Sequence, residues 1–443
     1  MNPKAQVQAE ASLHSPFSDQ TGQTEPAVGT NRPSYAANFH CIGASCEDHC
    51  CRGWSIPVDQ ETYRKYQQFP AERLGSIVSQ YVTITAADAP PVLYAEINMT
   101  PSGNCPFFQA DRLCGIQKEY GGQFLSATCS IYPRALNQVE GALEGSLMLS
   151  CPEAARNILL VPDSTRSVGD LLSGEFRTDN VFYLERSGGG TFYKPYRSFQ
   201  AIRAWLIDMV QDRTRPMWER LLLIGLLCQD LSQLTTEEAG EMVPAILGDY
   251  RQILGTSWAK AELDNMPSHP EAKLRIAMRL SYERAQDPSC RPRFLDTYDT
   301  FLEGIGSHAG TAPEDDLARF QEAEESYHRP FFDRYPYIYE NYLLNYIFQN
   351  LFPFGHEGSP RFVQRSIFDE YILMTTQFGW INSLLIGVAG RFKSDFAGEH
   401  VVKTIQTFSR EAEHDPGIRT SMHEFLKAYK LDNLQGMAIL LKS

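Results

Sequence analysis

The stretch Cys41-Ile42-Gly43-Ala44-Ser45-Cys46-Glu47-Asp48-His49-Cys50-Cys51-Arg52 decides how the first part of the chain is read. Together with Cys105, Cys114, Cys129 and Cys151 it gathers eight of the ten cysteines into one segment, and only Cys228 and Cys290 lie beyond it. Thiolate sulfur is soft and anionic, and four such ligands complete a tetrahedral shell around zinc or iron. The density therefore points to a metal or iron-sulfur site. A disulfide framework is the weaker expectation. No charged region, apolar run and small-residue cleavage site opens the chain, and thiols stay reduced in the cytoplasm, where the protein is expected to reside.

Spacing adds detail. Eight thiols exceed one shell, and adjacent side chains such as Cys50 and Cys51 point apart in most backbone conformations, so the pair suits two different centres. The C-x3-C-x2-C loop of radical S-adenosylmethionine enzymes is absent, because Gly53 stands where its third cysteine belongs. His49, between Cys46 and Cys50, is an alternative ligand, although an exposed loop histidine is the more ordinary reading.

Outward from this segment the composition sets limits. A chain of 443 residues, 43% hydrophobic and 12% aromatic, has ample material for a core. Its 40 basic against 54 acidic residues give a net charge of −14, which argues against nucleic acid or anionic membrane as partners. The apolar run Leu221 to Cys228 is far short of the roughly 20 residues a bilayer requires and reads as a buried helix.

Residues 1–35 read as a disordered polar tail, 36–160 as a Cys-rich, loop-rich metal or iron-sulfur domain, 161–195 as a connector and 196–443 as a helical domain. In the second segment, Val82-Thr83-Ile84 and Val92 to Ile97 are short strand-like pieces. Ser187-Gly188-Gly189-Gly190 reads as a flexible turn, since neither a strand before it nor G-x-G-x-x-G marks it as a cofactor loop.

In the last segment, Phe199, Ile202, Trp205, Leu206 and Met209 recur at three and four, on one helix face. Thr235-x-x-Glu238 and Ser268-x-x-Glu271 look like capping boxes, with Pro270 at a first helical position. Further helices are expected near 313–327, 338–351, 361–376, 396–410 and 417–429. No alternating βα pattern of the kind a parallel sheet needs is visible. The fold expected is mainly α, with a Cys-rich metal-binding N-terminal domain followed by a multi-helix C-terminal domain.

At the quoted thiols the sequence also resembles a known family. Phe39 to Trp54 with Ile56 and Asp59, then Cys105-Pro106-Phe107-Phe108, Leu113 to Lys118 and Cys129-Ser130-Ile131-Tyr132-Pro133-Arg134, closely resemble the flagellin lysine-N-methylase family. The N-terminal half is similar in turn to small Cys-rich zinc- or iron-chelating domains. Glu340 to Tyr346 and Leu351 to Phe354 also look like family segments, so the likeness runs from about Asn38 to the C terminus.

The resemblance implies methyl transfer from S-adenosylmethionine to lysine side chains of flagellin or a similar surface protein, in a chain carrying a 4Fe-4S cluster, with zinc as the alternative. Cys41, Cys46, Cys50, Cys51, Cys105, Cys114, Cys129 and Cys151 match its chelating pattern.

That reaction needs a neutral lysine, whose unperturbed pKa is about 10.4, and aromatic faces or carboxylates for the sulfonium. The aromatic concentration from Tyr327 to Phe354 is the region to search, though such stripes are ordinarily core. Within it Glu340, Asn341, Tyr342 and Asn345 are the candidate cofactor-binding residues, because buried amides at helical spacing require partners. Asp59 and Arg134 are candidate buried ion-pair partners near the metal. No residue is marked as catalytic. Two other classes fit the thiols: a non-catalytic metal-binding or redox protein whose helices dock a partner, and an electron-transfer oxidoreductase.

Overall fold

The structure, a computed structural model, describes residues 31–54, 56–86, 91–169, 181–184, 193–234, 238–254, 261, 263–356, 365–412 and 416–442. Its strands are β1 (Asn31–Pro33), β2 (Ile56–Val58), β3 (Val82–Ile84), β4 (Ala95–Ile97), β5 (Arg134–Val139), β6 (Ala142–Leu147), β7 (Ser167–Gly169) and β8 (Val181–Tyr183). The longer helices are α1 (Pro152–Leu159), α2 (Phe199–Val210), α3 (Met217–Ser232), α4 (Val243–Leu254), α5 (Pro270–Gln286) and α6 (Pro292–Gly304). They continue with α7 (Pro313–Ala323), α8 (Tyr337–Gln349), α9 (Ile367–Phe392), α10 (Gly398–Ala412), α11 (Pro416–Ala428) and α12 (Leu434–Leu441). The fold is mainly α, as the helical periodicity predicts.

Two apolar cores organise it. The small one is built on the antiparallel sheet β2-β4-β3, in which Ile56 pairs with Ile97 and Val82 with Ile97. Ile56, Val58, Tyr66, Val78, Phe107 and Ile116 fill it, and Cys51, Cys105, Cys114 and Cys129 sit in it or against it. The large core holds the helices and also Tyr35, Phe39, Leu147, Ile158 and Leu159. The segment 36–160 therefore contributes to both cores.

Residues 31–35, expected in the disordered tail, are ordered: β1 joins a five-stranded sheet, and the Tyr35 hydroxyl donates to Asn345 Oδ1 at 2.6 Å. Residues 1–30, the Ser187–Gly190 turn and the Thr235 cap lie outside the described residues.

That sheet has the order β7-β1-β6-β5-β8, and β1 with β6 and β5 with β8 are parallel pairs that the sequence did not announce. They form without a βα alternation because β5 and β6 make a hairpin, turning at Glu140 and Gly141 with φ of 52° and 86°, and β1 and β8 add at its two sides.

Helix α8 carries the sheet. Asn345 Nδ2 donates to Leu147 O, and Phe348 O accepts from Asn137 Nδ2 at 2.8 Å. Arg203 of α2 grips Glu144 of β6 through two bonds of 2.6 and 2.5 Å, between the rings of Phe199 and Phe348.

Helix starts shift where a local rule wins. Pro270 fixes the first residue of α5, so His269 is its N-cap and Ser268 caps nothing. Helix α9 begins at Ile367 because Ser366 and Asp369 form a reciprocal capping box, and it runs on to Phe392. Together with the following turn, α9 is long and apolar enough to cross a membrane, but 94% of its apolar window is buried inside the fold, where it is the central core helix.

Helices α6 and α9 cross almost backbone to backbone. A Cβ on Gly304 would lie 1.7 Å from Gly387 O, and one on Gly387 would lie 2.3 Å from a Phe301 ring carbon. Overpacking of this kind costs about 1–3 kcal/mol or more. Gly304→Ala and Gly387→Ala are expected to lower the unfolding free energy of the full chain by about 3 kcal/mol in urea titrations. Gly248→Ala on α4, whose added Cβ meets nothing within 4 Å, should instead be neutral or stabilise by about 0.5–1 kcal/mol.

Candidate functional site

The thiol loop is held from both sides. From its own module, the Cys51 carbonyl accepts from Cys105 N–H at 2.9 Å, Arg52 bridges to Asn104, and Phe108 bridges to Cys114. From the helical body, Arg410 of α10 reaches into the loop. Its Nη1 donates to Asp48 O, and its Nη2 donates to His49 O and Arg52 O at 3.1 and 3.0 Å. The same guanidinium lies 2.7 Å from the Asp48 carboxylate. Gln406, one turn earlier, donates from Nε2 to both Asp48 Oδ2 and Ser150 O at 2.8 Å. Arg291, the N-cap residue of α6, donates to Gly53 O at 2.8 Å and is paired with Glu411, which also binds Arg284.

The thiols differ sharply in environment. Cys105 is buried, Cys46, Cys51, Cys114, Cys129 and Cys151 are half-buried, and Cys41 and Cys50 are exposed. Burial pushes the Cys105 and Cys151 thiols up to about 12 and raises Cys46, Cys114 and Cys129 as well. Cys50 is the exception: a hydrogen bond from the Cys51 thiol, and next the charge of Arg410, bring it down to about 7, while Cys51 is driven up.

Opposing the burial, backbone N–H groups of Phe107 and Phe108 point at the Cys105 sulfur, those of Ile116 and Gln117 at Cys114, and those of Glu153 and Ala154 at Cys151. Donors aimed at sulfur favour its anionic, ligand form. Half-buried His49 is not an exposed loop residue. Its ring stacks on Phe108 at 3.9 Å, and its Nδ1 is buried with no hydrogen-bond partner among the described residues.

The donor chemistry therefore fits a thiolate-bound metal group. The side chains do not, however, converge as a mononuclear site requires: among the described residues no three His, Cys, Asp or Glu are grouped to hold a single metal ion. Asp59 turns out to cap the helix Gln60–Tyr66 through Thr62 N and Oγ1, and Arg134 lies over the Phe39 ring.

The four residues singled out on α8 lie together and are buried. Glu340 is bound by Arg213 and Arg220, Asn341 Nδ2 donates to Val161 O, and Asn345 joins Tyr35 and Leu147. Tyr342 is packed in the large core.

Two openings instead mark the seam between module and helices. A small pocket is lined by Cys50, Trp54, Tyr132, Ser150, Arg291 and Arg410. The Trp54 and Tyr132 rings there lie 5.5 Å apart, and Trp54 Nε1 donates to Cys50 O. Beside it, sharing Arg291 and Arg410, is a cleft of about 480 Å³. Arg52, Gly53 and Gly103 form one wall and Arg293, Asp296 and Glu411 the other. Its volume falls in the range of small-molecule cofactor sites. Sequence reading missed the helical wall; its signal is Gln406 and Arg410, polar residues one turn apart that are both buried on α10.

Fold and site together define a thiol module docked on a helical body, with a ligand-sized cleft at the junction. The family model for the FliB lysine N-methylase C-terminal domain matches residues 203–440, and the chain belongs to that family. Two Salmonella proteins named lysine-N-methylase, from strains of S. choleraesuis and S. typhimurium, are each 24% identical over 425 residues, 94% of this chain and 99% of theirs. The flagellar biosynthetic protein FliU of Salmonella muenchen is 35% identical over 138 residues, 31% of this chain and 80% of its own. No solved structure matches.

In the reduced, metal-free protein, alkylation followed by peptide mass spectrometry should modify Cys50 well before Cys51 or Cys105. Its rate should rise with pH and reach half its maximum near pH 7, because the thiolate is the nucleophile. Arg410→Ala should move that midpoint upward; equal rates at Cys50 and Cys105 would contradict the assignment.

Proposed function

We propose that the chain transfers a methyl group from S-adenosylmethionine to lysine side chains of flagellin or a similar surface protein. The reading is carried by membership of the FliB lysine N-methylase family together with likeness to named lysine-N-methylases along nearly the whole chain. The flagellar name of the Salmonella muenchen relative supports a flagellar acceptor. The reading places the protein in the cytoplasm, where its thiols stay reduced.

In this reading the seam is the reaction site. The cleft takes the methyl donor, and the Trp54 and Tyr132 faces beside Cys50 favour a cationic centre, the sulfonium or the approaching ammonium. The lysine first gives up its proton to solvent; as the nitrogen-carbon bond then forms the sulfur-carbon bond breaks, releasing S-adenosylhomocysteine as the neutral leaving group and leaving the methylated lysine as an ammonium. A desolvated pocket assists the first proton loss, since burial disfavours the ammonium.

Four of the eight thiols from Cys41 to Cys151 would hold a 4Fe-4S cluster. When bound, such a cluster would supply redox-active iron. The protein's own contribution is to aim backbone N–H groups at the sulfurs and to anchor the loop through Arg410.

Protein purified without oxygen should transfer labelled methyl groups from S-adenosylmethionine to flagellin lysines, located by mass spectrometry. Cys50→Ser is expected to cut that transfer at least about tenfold while shifting the unfolding midpoint little, because Cys50 is exposed. Iron and sulfide analysis tests the cluster separately from the transfer. Absence of methylation with flagellin and S-adenosylmethionine by iron-replete protein would sink the proposal.

A further inference from the structure

The cleft has a charge pattern that its list of acids and bases conceals. Four carboxylates and four guanidiniums line it: Glu47, Asp48, Asp296 and Glu411 against Arg52, Arg291, Arg293 and Arg410. Every one of the carboxylates is already answered. Asp48 is bound by Arg410 and Gln406. Glu47 faces Arg156, Asp296 faces Lys403, and Glu411 is bound by Arg284 as well as Arg291. Arg156, Lys403 and Arg284 stand outside the lining, so three of the four carboxylates are also met by a cation from outside the cleft wall, Arg156 and Arg284 being shared with Glu153 and Asp287.

Two cations are left over. Arg52 is exposed on the thiol-loop wall, and among the described residues its guanidinium has no ion pair or hydrogen bond. Arg293, on the first turn of α6, donates from Nε to Gln406 Oε1 at 3.0 Å and forms no ion pair among the described residues. In a chain of net charge −14 this is a local excess of positive charge in a concave site.

We infer that Arg52 and Arg293 form the carboxylate-binding end of the cleft and hold the amino-acid carboxylate of the methyl donor. The inference rests on the function proposed above and names where in that site the donor's anionic end lies. The acceptor cannot be what the pair recognises, because a lysine ammonium would meet like charge there. The donor carries a carboxylate, and a guanidinium grips a carboxylate through two parallel N–H bonds, which an ammonium cannot imitate. The shared residues Arg291 and Arg410 make the cleft and the aromatic pocket neighbours. A donor anchored at Arg52 and Arg293 therefore extends toward Trp54 and Tyr132, which suit its sulfonium.

The test is calorimetric titration of the full-length, anaerobically purified chain with S-adenosylmethionine and with its decarboxylated form. The proteins are the wild type, Arg52→Gln, Arg293→Gln and the double variant. Arg52→Gln removes no side-chain polar contact among the described residues, so its fold is expected to be retained even if Arg293→Gln disturbs Gln406.

The wild type is expected to bind the carboxylate form at least about tenfold more tightly than the decarboxylated one, the range of a lost charge-assisted pair. That preference should shrink in each single variant and vanish in the double, with the decarboxylated form bound no more weakly than by the wild type. Equal affinity of the wild type for both forms, or an undiminished preference in Arg52→Gln, would overturn the inference and leave the methyl-transfer reading standing. Failure of the wild type to bind S-adenosylmethionine at all would overturn that reading and this inference with it.

Discussion

The structure depends on one guanidinium. Arg410 comes from α10, packed in the helical body, and its polar hydrogens end on three carbonyls and a carboxylate of the thiol loop. A buried charge is tolerable only when paired and hydrogen-bonded, and removing one partner of such a pair typically costs about 3–5 kcal/mol. Arg410 therefore couples the place of the thiols to the integrity of the helices. Glu411, the next residue, extends the constraint by binding Arg284 of α5 and Arg291 at the head of α6.

This arrangement explains why the cleft lies where it does. A loop bearing thiols has little regular structure to position it, and its module's own core is small. Rigidity is supplied from outside by α6, α9 and α10. The tight crossing of α6 on α9 leaves no room for adjustment, so the head of α6, which carries Arg291 and Arg293, is a fixed wall. The opposite wall is the loop itself, with Gly53 and Gly103 joined by a 2.9 Å backbone bond. One wall is backbone and the other is helix, and the thiol with the most anionic character, Cys50, opens into the pocket beside them.

Much of this was legible in the sequence, and the rest fails for physical reasons. Local signals served well: apolar residues at helical spacing found α2 and α8, and the aromatics Tyr339, Tyr342, Tyr346 and Phe352 proved to be core. The rule that buried amides need partners was right for Asn341 and Asn345, but those partners are the Val161 and Leu147 carbonyls, which no local pattern reveals. The cysteines marked the module. They could not mark Arg291, Gln406 or Arg410, which reach the loop across hundreds of residues and differ from solvated surface polar groups only once the fold is formed. The parallel strand pairs were hidden for the same reason, since β1 and β8 are too short to declare a partner.

The clamp on the thiol loop also has a place in time. Asp48 and Gln406 are 358 residues apart, so a ribosome adding roughly 5–20 residues per second releases the loop tens of seconds before it makes the side chains that seal it. During synthesis, Cys41 to Cys51 stand open to solvent, to metal donors and to oxidants. Once α10 closes on them, access narrows to the seam. The chain thus orders its own maturation: whatever the thiols are to receive is most easily delivered early, and the last hundred residues act as a door.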